Sequence, residues 1–299
     1  MVNIAYLILA HTDIRHVSRL AKRMSHTGDV YIHIDCATDY DEKEILKEQL
    51  PQNVYWHTPR FRTEWGGFEV VRATVELMRK ALSYKPYDRF VLLQGADYPL
   101  KSDGFIVDFF EKNPEVEYLR ACCISNQTDP YFYGRCRYYL FYNRRNFIKK
   151  IWNKLSRIMD LKLKHGYIPV NHQEYPVYWG SAQWAITGAC AKYIVDFYDK
   201  NPQFNQWFKT AFPVDEMYFS TIVMNSSFSC KTLYGGPEEA KKGLVHYQNL
   251  HYFIYEQDHI KVFSKADIEN LNKREELFVR KVNTMESSEL LDFLDGVND

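Results

Sequence analysis

The chain has 299 residues, and its 38 Lys and Arg balance 38 Asp and Glu, so the formal net charge is zero. This balance argues against a strongly basic nucleic-acid-binding protein, although a local basic patch stays open. Hydrophobic residues make up 46% and aromatic residues 16% of the chain, which is enough for a full core and excludes global disorder.

The first hundred residues alternate between strand and helix patterns, the order that a parallel α/β sheet requires. Residues 4–10 form a continuous apolar run, typical of a strand that is covered on both faces. Strands are also predicted at 30–35 and 89–94. Because ligands bind at the carboxyl ends of parallel strands, Asp35 and Asp97 lie in suggestive positions.

The middle and the end of the chain have a different character. Residues 131–170 are rich in Tyr and Arg, a strand pattern covers 179–187, and a helix is predicted to begin at Pro213. The chain after about residue 264 is charged and predicted to be mostly helical. We see no repeat, linker or domain boundary, so we expect a single domain over residues 1–299.

Cysteine usage and the N-terminus indicate the cellular setting. The six cysteines form no CxxC pair and favour buried, reduced thiols. The N-terminal apolar run is too short to span a bilayer and lacks a basic n-region and a cleavage site. We therefore expect a soluble, cytoplasmic protein.

Common catalytic motifs are missing from the sequence. It contains no P-loop, GxGxxG, GxSxG, HExxH or zinc-type Cys/His spacing, which argues against dehydrogenases, kinases and the common hydrolases. Asp39-Tyr40-Asp41 is the nearest match to a metal-binding DxD. It precedes a charged run that is typical of a helix start, so we expect no metal site there.

Six segments stand out in chain order: Tyr31-Ile32-His33-Ile34-Asp35, the Trp65-Gly66-Gly67 turn before a long helix, Leu93-Gln94-Gly95-Ala96-Asp97-Tyr98-Pro99-Leu100, Trp179-Gly180-Ser181-Ala182-Gln183-Trp184, Phe212-Pro213-Val214-Asp215-Glu216-Met217-Tyr218-Phe219 and Leu277-Phe278-Val279-Arg280-Lys281-Val282. In this order they resemble segments of the core-2/I-branching β-1,6-N-acetylglucosaminyltransferase and peptide O-xylosyltransferase family. The resemblance covers about residues 4–282, nearly the whole chain.

The resemblance implies a GT-A-like fold, in which helices flank a mostly parallel central sheet. It also implies an inverting glycosyltransferase that moves a sugar, GlcNAc or another hexose, from a UDP-sugar to a glycan hydroxyl without a divalent metal. The nucleotide-binding half would cover about residues 1–130. The acceptor and catalytic half, with a C-terminal segment that contacts UDP, would cover about 170–285.

The resemblance assigns the general base to Glu216. Such a base must take the proton of the acceptor hydroxyl. We expect Glu216 to stay ionised because Pro213 would place it near a helix N-terminus. The neighbouring Asp215 is the alternative base, and an ordinary helix-capping role is open for both acids.

The resemblance places Arg280 and Lys281 beside the departing diphosphate, where fixed cations can replace a metal ion. A solvated cationic face is the alternative for both residues. His259 and Lys261 are weaker candidates from the preceding loop.

The remaining candidate residues would bind the donor. The family pattern points to Asp35, the loop Thr63-Glu64-Trp65 and His11 for the nucleoside, although His11 and Trp65 are equally compatible with structural roles. Asp97 could serve the nucleotide or pin the turn before Pro99. Ser181, Gln183 and Trp184 lie in the segment that resembles the family's Gly-Ser strand. Gln183 stands where xylosyltransferases carry Asp, which argues against a xylose donor.

Residues 144–164 carry eight basic residues and one acidic residue, Asp160, interleaved with apolar residues at near-helical spacing. This pattern is typical of an interfacial helix, and a lipid-linked glycan acceptor at the inner membrane face would give it a purpose. An ordinary amphipathic helix with a solvated basic face is the alternative.

Two other functions stay open from the sequence. One is a transferase that uses another donor, such as UDP-xylose. The other is a non-catalytic nucleotide-sugar or glycan-binding module of the same fold, which the pairing of Glu216 with Arg280 and Lys281 argues against.

Overall fold

The computed structural model describes residues 1–40, 50–57, 59–141, 147–257 and 259–296. The strands of this part, numbered along the chain, are β1 (Ile4–Ala10), β2 (Asp29–Ile34), β3 (Val54–Trp56), β4 (Arg89–Gln94), β5 (Asp97–Pro99), β6 (Ala121–Cys123), β7 (Tyr167–Val170), β8 (Gln173–Pro176), β9 (Tyr178–Gly180), β10 (Ala185–Thr187), β11 (His251–Tyr252), β12 (Tyr255–Glu256), β13 (His259–Ile260) and β14 (Phe278–Arg280). The α-helices are α1 (Ile14–Met24), α2 (Phe68–Tyr84), α3 (Asp103–Lys112), α4 (Pro130–Arg137), α5 (Phe147–Ile158), α6 (Gly188–Lys200), α7 (Pro202–Phe208), α8 (Tyr218–Met224), α9 (Ile268–Leu271) and α10 (Ser288–Gly296).

The central sheet has the strand order β10-β4-β1-β2-β3. Strands β1 to β4 run parallel, and β10 pairs antiparallel with β4 at one edge. The register places Ala10 beside Ile34 and Leu9 beside Gln94, so the carboxyl ends of β1, β2 and β4 meet at one edge. The predicted α/β class, a mostly parallel central sheet flanked by helices, is confirmed.

Alternate residues of β1 explain why its sequence is continuously apolar. Ala5 and Leu7 face the core that α2 and α6 cover, whereas Tyr6 and Ile8 face the core that α1, α3 and α10 cover. All four side chains are 0% exposed, as expected for a central strand with helices on both faces.

A second, three-stranded sheet places a strand from near the end of the chain beside β5, which follows the carboxyl end of β4. Its order is β11-β14-β5, with Arg280 of β14 opposite Asp97 of β5 and Phe278 opposite His251 of β11. The prediction of a mostly helical tail was therefore only partly right, because a strand between α9 and α10 carries Arg280.

Two predicted boundaries were wrong for tertiary reasons. The helix predicted from Pro213 begins only at Tyr218. The residues before it make backbone hydrogen bonds with other segments instead of with a helix. The Val214 N–H donates to the Gly66 carbonyl (2.9 Å), and the Glu216 carbonyl accepts from the Gly180 N–H (2.9 Å). The strand predicted over 179–187 is two strands, β9 and β10.

Several predictions concern other parts of the chain. All six cysteines are free, but Cys36 and Cys230 are exposed rather than buried. Asp41, the charged run after it, and Arg144 and Arg145 lie outside the described residues. No helix in the described part is both long and apolar enough to cross a bilayer.

Candidate active site

The end of β2 is fastened to the loop that follows β3. The Asp35 carboxylate accepts hydrogen bonds from the Thr63 N–H (2.6 Å), the Thr63 hydroxyl (2.7 Å) and the Ala37 N–H (2.6 Å). Asp35 is 5% exposed. Asp35 and Thr63, both predicted to contact the nucleoside, therefore lie together, and the carboxylate fixes the shape of this loop.

The Trp65-Gly66-Gly67 turn packs against the segment before Glu216. Gly66 has φ +67°, and a Cβ there would come within 2.4 Å of the Phe212 ring, so only glycine fits. The Trp65 ring meets Phe212 edge-on with 4.9 Å between ring centroids. Trp65 is also 63% exposed, which leaves one face of the indole open to a ligand.

Glu216 lies in the wall of a cavity of about 860 Å³. Its Oε2 accepts a hydrogen bond from Trp179 Nε1 at 2.7 Å, and its carbonyl accepts from Gly180 N–H at 2.9 Å. Most of the other side chains that line this cavity are aromatic or basic and include Trp65, Tyr131, Tyr133, Arg135, Tyr138, Arg157, Phe212 and Tyr255. The carboxyl group is thus held by β9 and presented to a space of ligand size.

The Glu216 carboxyl binds its proton more tightly than an ordinary glutamate. Burial, together with the neighbouring Asp215 carboxyl, raises the pKa of Glu216 to about 8, although the Trp179 hydrogen bond and the Arg135 charge oppose this rise. Burial also raises the pKa of Asp215. A helix does begin two residues after Glu216, at Tyr218, but burial of the two carboxyls opposes the ionisation that was expected from a helix terminus.

This pKa predicts the acidic limb of the pH profile. A base must be deprotonated, and a raised pKa means that Glu216 becomes competent only as the pH rises towards about 8. We expect kcat/KM to fall about tenfold per pH unit below that limb. Trp179→Phe should move the limb to higher pH, because its indole hydrogen bond stabilises the carboxylate. A limb near the ordinary glutamate pKa of 4.5 would contradict this assignment.

Arg280 is anchored by the turn between β4 and β5. Its guanidinium donates to the Asp97 carboxylate (2.8 Å) and to the Gln94 side-chain oxygen (3.0 Å). Asp97 also contacts His251 Nε2 (3.1 Å) and accepts from the Gln94 N–H (2.7 Å). Although burial opposes it, the Arg280 and His251 contacts lower the pKa of Asp97 to about 2. The Gln94 contact fits one of the two roles left open for Asp97, pinning the turn before Pro99, and the same carboxylate also holds Arg280.

Lys281, unlike Arg280, is not anchored by an acidic side chain among the described residues. Within the described chain, no hydrogen bond or ion pair of its ammonium is found, and its backbone pairs with Lys261 (3.1 Å). Partial burial and the Arg280 charge lower its pKa. Partial burial lowers the pKa of His11, the residue after β1, and the charges of Arg280 and Lys281 lower it further. His11 and Lys281 therefore lie near one another at the carboxyl edge.

Electrostatic interactions link the region of Glu216 to Arg280. Arg280 lies within electrostatic range of Asp215, and Tyr255 lies within range of both Glu216 and Arg280. The structure thus places Arg280 within electrostatic range of the carboxyl next to the predicted base, although Arg280 and Glu216 are 64 residues apart in the sequence (280 − 216).

The remaining candidate residues do not line the Glu216 cavity. Trp184 is not brought to the site, because its ring is 1% exposed and packs on Phe219 in the core. Ser181 and Gln183 bond to each other in the turn after β9, with the Ser181 hydroxyl 3.1 Å from the Gln183 N–H. His259 is exposed on the β12–β13 hairpin, and Lys261 is paired with Asp267 (2.8 Å). The Glu64 carboxylate lies 3.8 Å from the Arg62 guanidinium.

Three site residues were missed by sequence reasoning. Arg135 of α4 lies over the Tyr131 ring (4.1 Å) and the Trp179 ring (4.8 Å), and Tyr255 lines the same cavity. Trp179 was noted only as part of a strand motif. The Tyr- and Arg-rich composition of 131–170 was a signal, but composition alone could not say which rings face Glu216.

No group of three or more His, Cys, Asp or Glu side chains within the described ranges could hold a metal ion. Asp41, the second acid of the nearest DxD match, is outside those ranges.

Comparison with known proteins identifies relatives. Residues 4–233 match the family model of the Core-2/I-Branching enzyme. Human Xylosyltransferase 2 is 28% identical over 244 residues, which cover 78% of this chain and 25% of the relative. The Xylosyltransferase of Ciona intestinalis is 26% identical over 242 residues, which cover 77% and 26%. The chain therefore spans about a quarter of the length of these curated relatives.

Two solved structures also align with the chain. S. aureus TarS 1-349 aligns with a TM-score of 0.38 and 9% identity, covering 77% of this chain and 57% of that one. HddC from Yersinia pseudotuberculosis aligns with a TM-score of 0.30 and 14% identity, covering 64% and 79%.

Proposed function

The chain belongs to the Core-2/I-branching enzyme family, and on that premise we propose that it is an inverting glycosyltransferase of the GT-A type. It transfers a sugar from a UDP-sugar to a hydroxyl of a glycan acceptor, in surface polysaccharide biosynthesis. The observation that carries this proposal is the Glu216 carboxyl in the wall of an aromatic cavity, where Tyr255 lies within electrostatic range of both Glu216 and Arg280.

The chemistry is a single displacement. Glu216 takes the proton of the acceptor hydroxyl while that oxygen bonds to the anomeric carbon. The bond between this carbon and the diphosphate oxygen breaks on the opposite face, and UDP leaves with the electron pair. Trp179 orients the carboxylate by its 2.7 Å hydrogen bond, and Arg135 above the indole favours the ionised form.

Lys281 is proposed to stabilise the leaving diphosphate. The Arg280 charge is already balanced by Asp97, whereas the Lys281 ammonium has no counter-ion among the described residues. A fixed ammonium can supply the positive charge that a metal ion supplies elsewhere. We therefore propose that transfer needs no divalent cation.

The donor is proposed to be UDP-GlcNAc or another UDP-hexose. Gln183 in place of the xylosyltransferase Asp supports a donor other than UDP-xylose. Calorimetric titration with UDP, UDP-GlcNAc, UDP-Glc, UDP-Gal and UDP-xylose, followed by a UDP-release assay, tests the proposal. Binding and turnover of one UDP-hexose would support it. Binding of a UDP-sugar without release of UDP under any acceptor would instead indicate a binding module.

The acceptor is proposed to be lipid-linked, and α5 with residues 159–163 is proposed to contact the membrane. Lys164, which the sequence pattern placed on the same basic surface, is buried instead. On α5, Phe147 (74%), Ile148 (76%) and Ile158 (70%) are strongly exposed, as are Ile151, Trp152 and Leu155 to a lesser degree. An ordinary amphipathic helix would bury such a face, so the exposure supports an interfacial role.

Charge and position agree with this contact. Lys150, Lys154 and Arg157 are exposed on the same helix, and basic side chains are attracted to anionic headgroups. Arg157 and Asp160 also line the Glu216 cavity. A glycan anchored in the bilayer beneath α5 would therefore lie close to the proposed base.

Removal of two basic side chains should weaken membrane binding. Each contributes about 1 kcal/mol near an anionic surface, so Lys150→Ala with Lys154→Ala should lower vesicle partitioning about 30-fold. The measurement is co-sedimentation with phosphatidylglycerol vesicles, with phosphatidylcholine vesicles as the neutral comparison. Lys112→Ala with Lys200→Ala makes the same charge change at exposed positions elsewhere and should have no effect. Equal binding by both double variants, or no salt-sensitive binding, would refute the contact.

A further inference from the structure

A second cavity, of about 730 Å³, lies behind the segment that walls the Glu216 cavity. Tyr138 and Leu140 line the first cavity, whereas the intervening Tyr139 lines the second. The second cavity is also close to α5, because Trp152 Nε1 donates to the Tyr139 carbonyl at 3.1 Å. Its lining residues are Tyr139, Lys164, Pro169, Val170, Asn171, His172 and, from α7 and its end, Gln203, Gln206, Trp207 and Thr210.

Lys164 is the buried polar group of this cavity. Its side chain is 6% exposed, and its ammonium donates to the carbonyls of Thr210 (2.9 Å) and Trp207 (3.2 Å). The ammonium also lies 3.9 Å from the centroid of the Trp207 ring. An ammonium has three hydrogens, and beyond the two carbonyls the described residues offer it only ring faces, those of Trp207 and of Tyr139, whose centroid is 5.1 Å away.

The charge of Lys164 is not balanced by an acid. The cavity lining contains no Asp or Glu, and no ion pair of Lys164 is found in the described chain. Burial lowers the pKa of Lys164 to about 7. A buried cation without a counter-ion is costly, and an oxyanion that enters the cavity would restore the balance.

The rest of the lining suits a sugar. The side-chain amides of Gln203, Gln206 and Asn171 and the hydroxyl of Thr210 offer donors and acceptors for sugar hydroxyls. The exposed Tyr139 ring adds an apolar surface of the kind that packs against a sugar face. Basic charge, neutral amides and an aromatic ring together favour a sugar that carries a carboxylate.

We infer that this cavity binds an acidic sugar residue, a uronate, with its carboxylate on the Lys164 ammonium. That the uronate belongs to the acceptor glycan rests on the proposed function. Binding of the uronate does not depend on sugar transfer, so this inference and the proposed function can fail separately.

The test measures the binding of sodium glucuronate to the full chain by ligand-observed NMR. Glucose and inorganic phosphate are the comparison probes. We expect glucuronate to bind at least about tenfold more tightly than glucose, because a charge-assisted bond adds that much. Gln206→Glu should reduce glucuronate binding at least about tenfold by placing a like charge in the lining. Gln52→Glu makes the same change at an exposed position elsewhere and should bind as wild type.

Lys164→Met is the direct variant, but Lys164 also holds the end of α7, so Gln206→Glu carries the test if the methionine variant unfolds. Equal binding of glucose and glucuronate, or of phosphate and glucuronate, would overturn the inference, as would a Gln206→Glu chain that still binds glucuronate. UDP-sugar titration of Gln206→Glu should match wild type. If the wild-type chain did not bind any UDP-sugar, the proposed transfer reaction would be contradicted, whereas the glucuronate result would still stand.

Discussion

Glu216→Gln should lower kcat by about 10² to 10⁴ while leaving the affinity for UDP-sugar nearly unchanged. The amide keeps the shape of the side chain but cannot accept the proton of the acceptor hydroxyl. It can still accept the Trp179 indole hydrogen bond, which is 2.7 Å long in the native chain, so the cavity wall should be preserved. The measurements are single-turnover transfer rates and calorimetric titration of the UDP-sugar.

Two variants sharpen this experiment. Glu174→Gln removes an exposed carboxylate on β8 and should leave both quantities unchanged. Trp179→Phe removes the hydrogen bond to Glu216 and should give an intermediate loss together with the shift of the pH limb. If Glu216→Gln kept more than about a tenth of the wild-type kcat, Glu216 would not be the base. Asp215→Asn should then be tested, since its carboxyl is the neighbouring acid.

Lys281→Ala should lower kcat/KM at least about tenfold, because a charge-assisted contact with the diphosphate is worth about 1.5 to 3 kcal/mol. The same variant should weaken the binding of UDP more than that of uridine, since uridine lacks the diphosphate. Steady-state kinetics and parallel titrations with UDP and with uridine measure these two effects.

The control variant is Lys273→Ala. Lys273 is exposed and pairs with Glu269 at 2.7 Å, so its loss should not affect either titration. Wild-type activity should also survive EDTA, because the ammonium supplies the positive charge. Activity that is lost in EDTA and restored by Mn²⁺, or a Lys281→Ala enzyme equal to wild type, would show that this account of the leaving group is wrong.

Features that depend on neighbours in the sequence were predictable. The apolar run of β1 and the strand that ends at Asp35 follow from residue pattern alone, because a strand buried on both faces needs apolar residues throughout. The resemblance of the ordered segments also pointed to Glu216 and Lys281 for chemistry, and both roles stay predictions.

Features that depend on distant contacts were decided by the tertiary structure. Arg280 and Asp97 are 183 residues apart, and only the pairing of β14 with β5 shows that one neutralises the other. The turn before α8 is not helical because Gly66 and Gly180 take its backbone hydrogen bonds. The raised pKa of Glu216 likewise follows from desolvation by side chains of other segments. Periodicity specifies which residues are buried in an element, but charge balance and proton affinity are set by what packs around them.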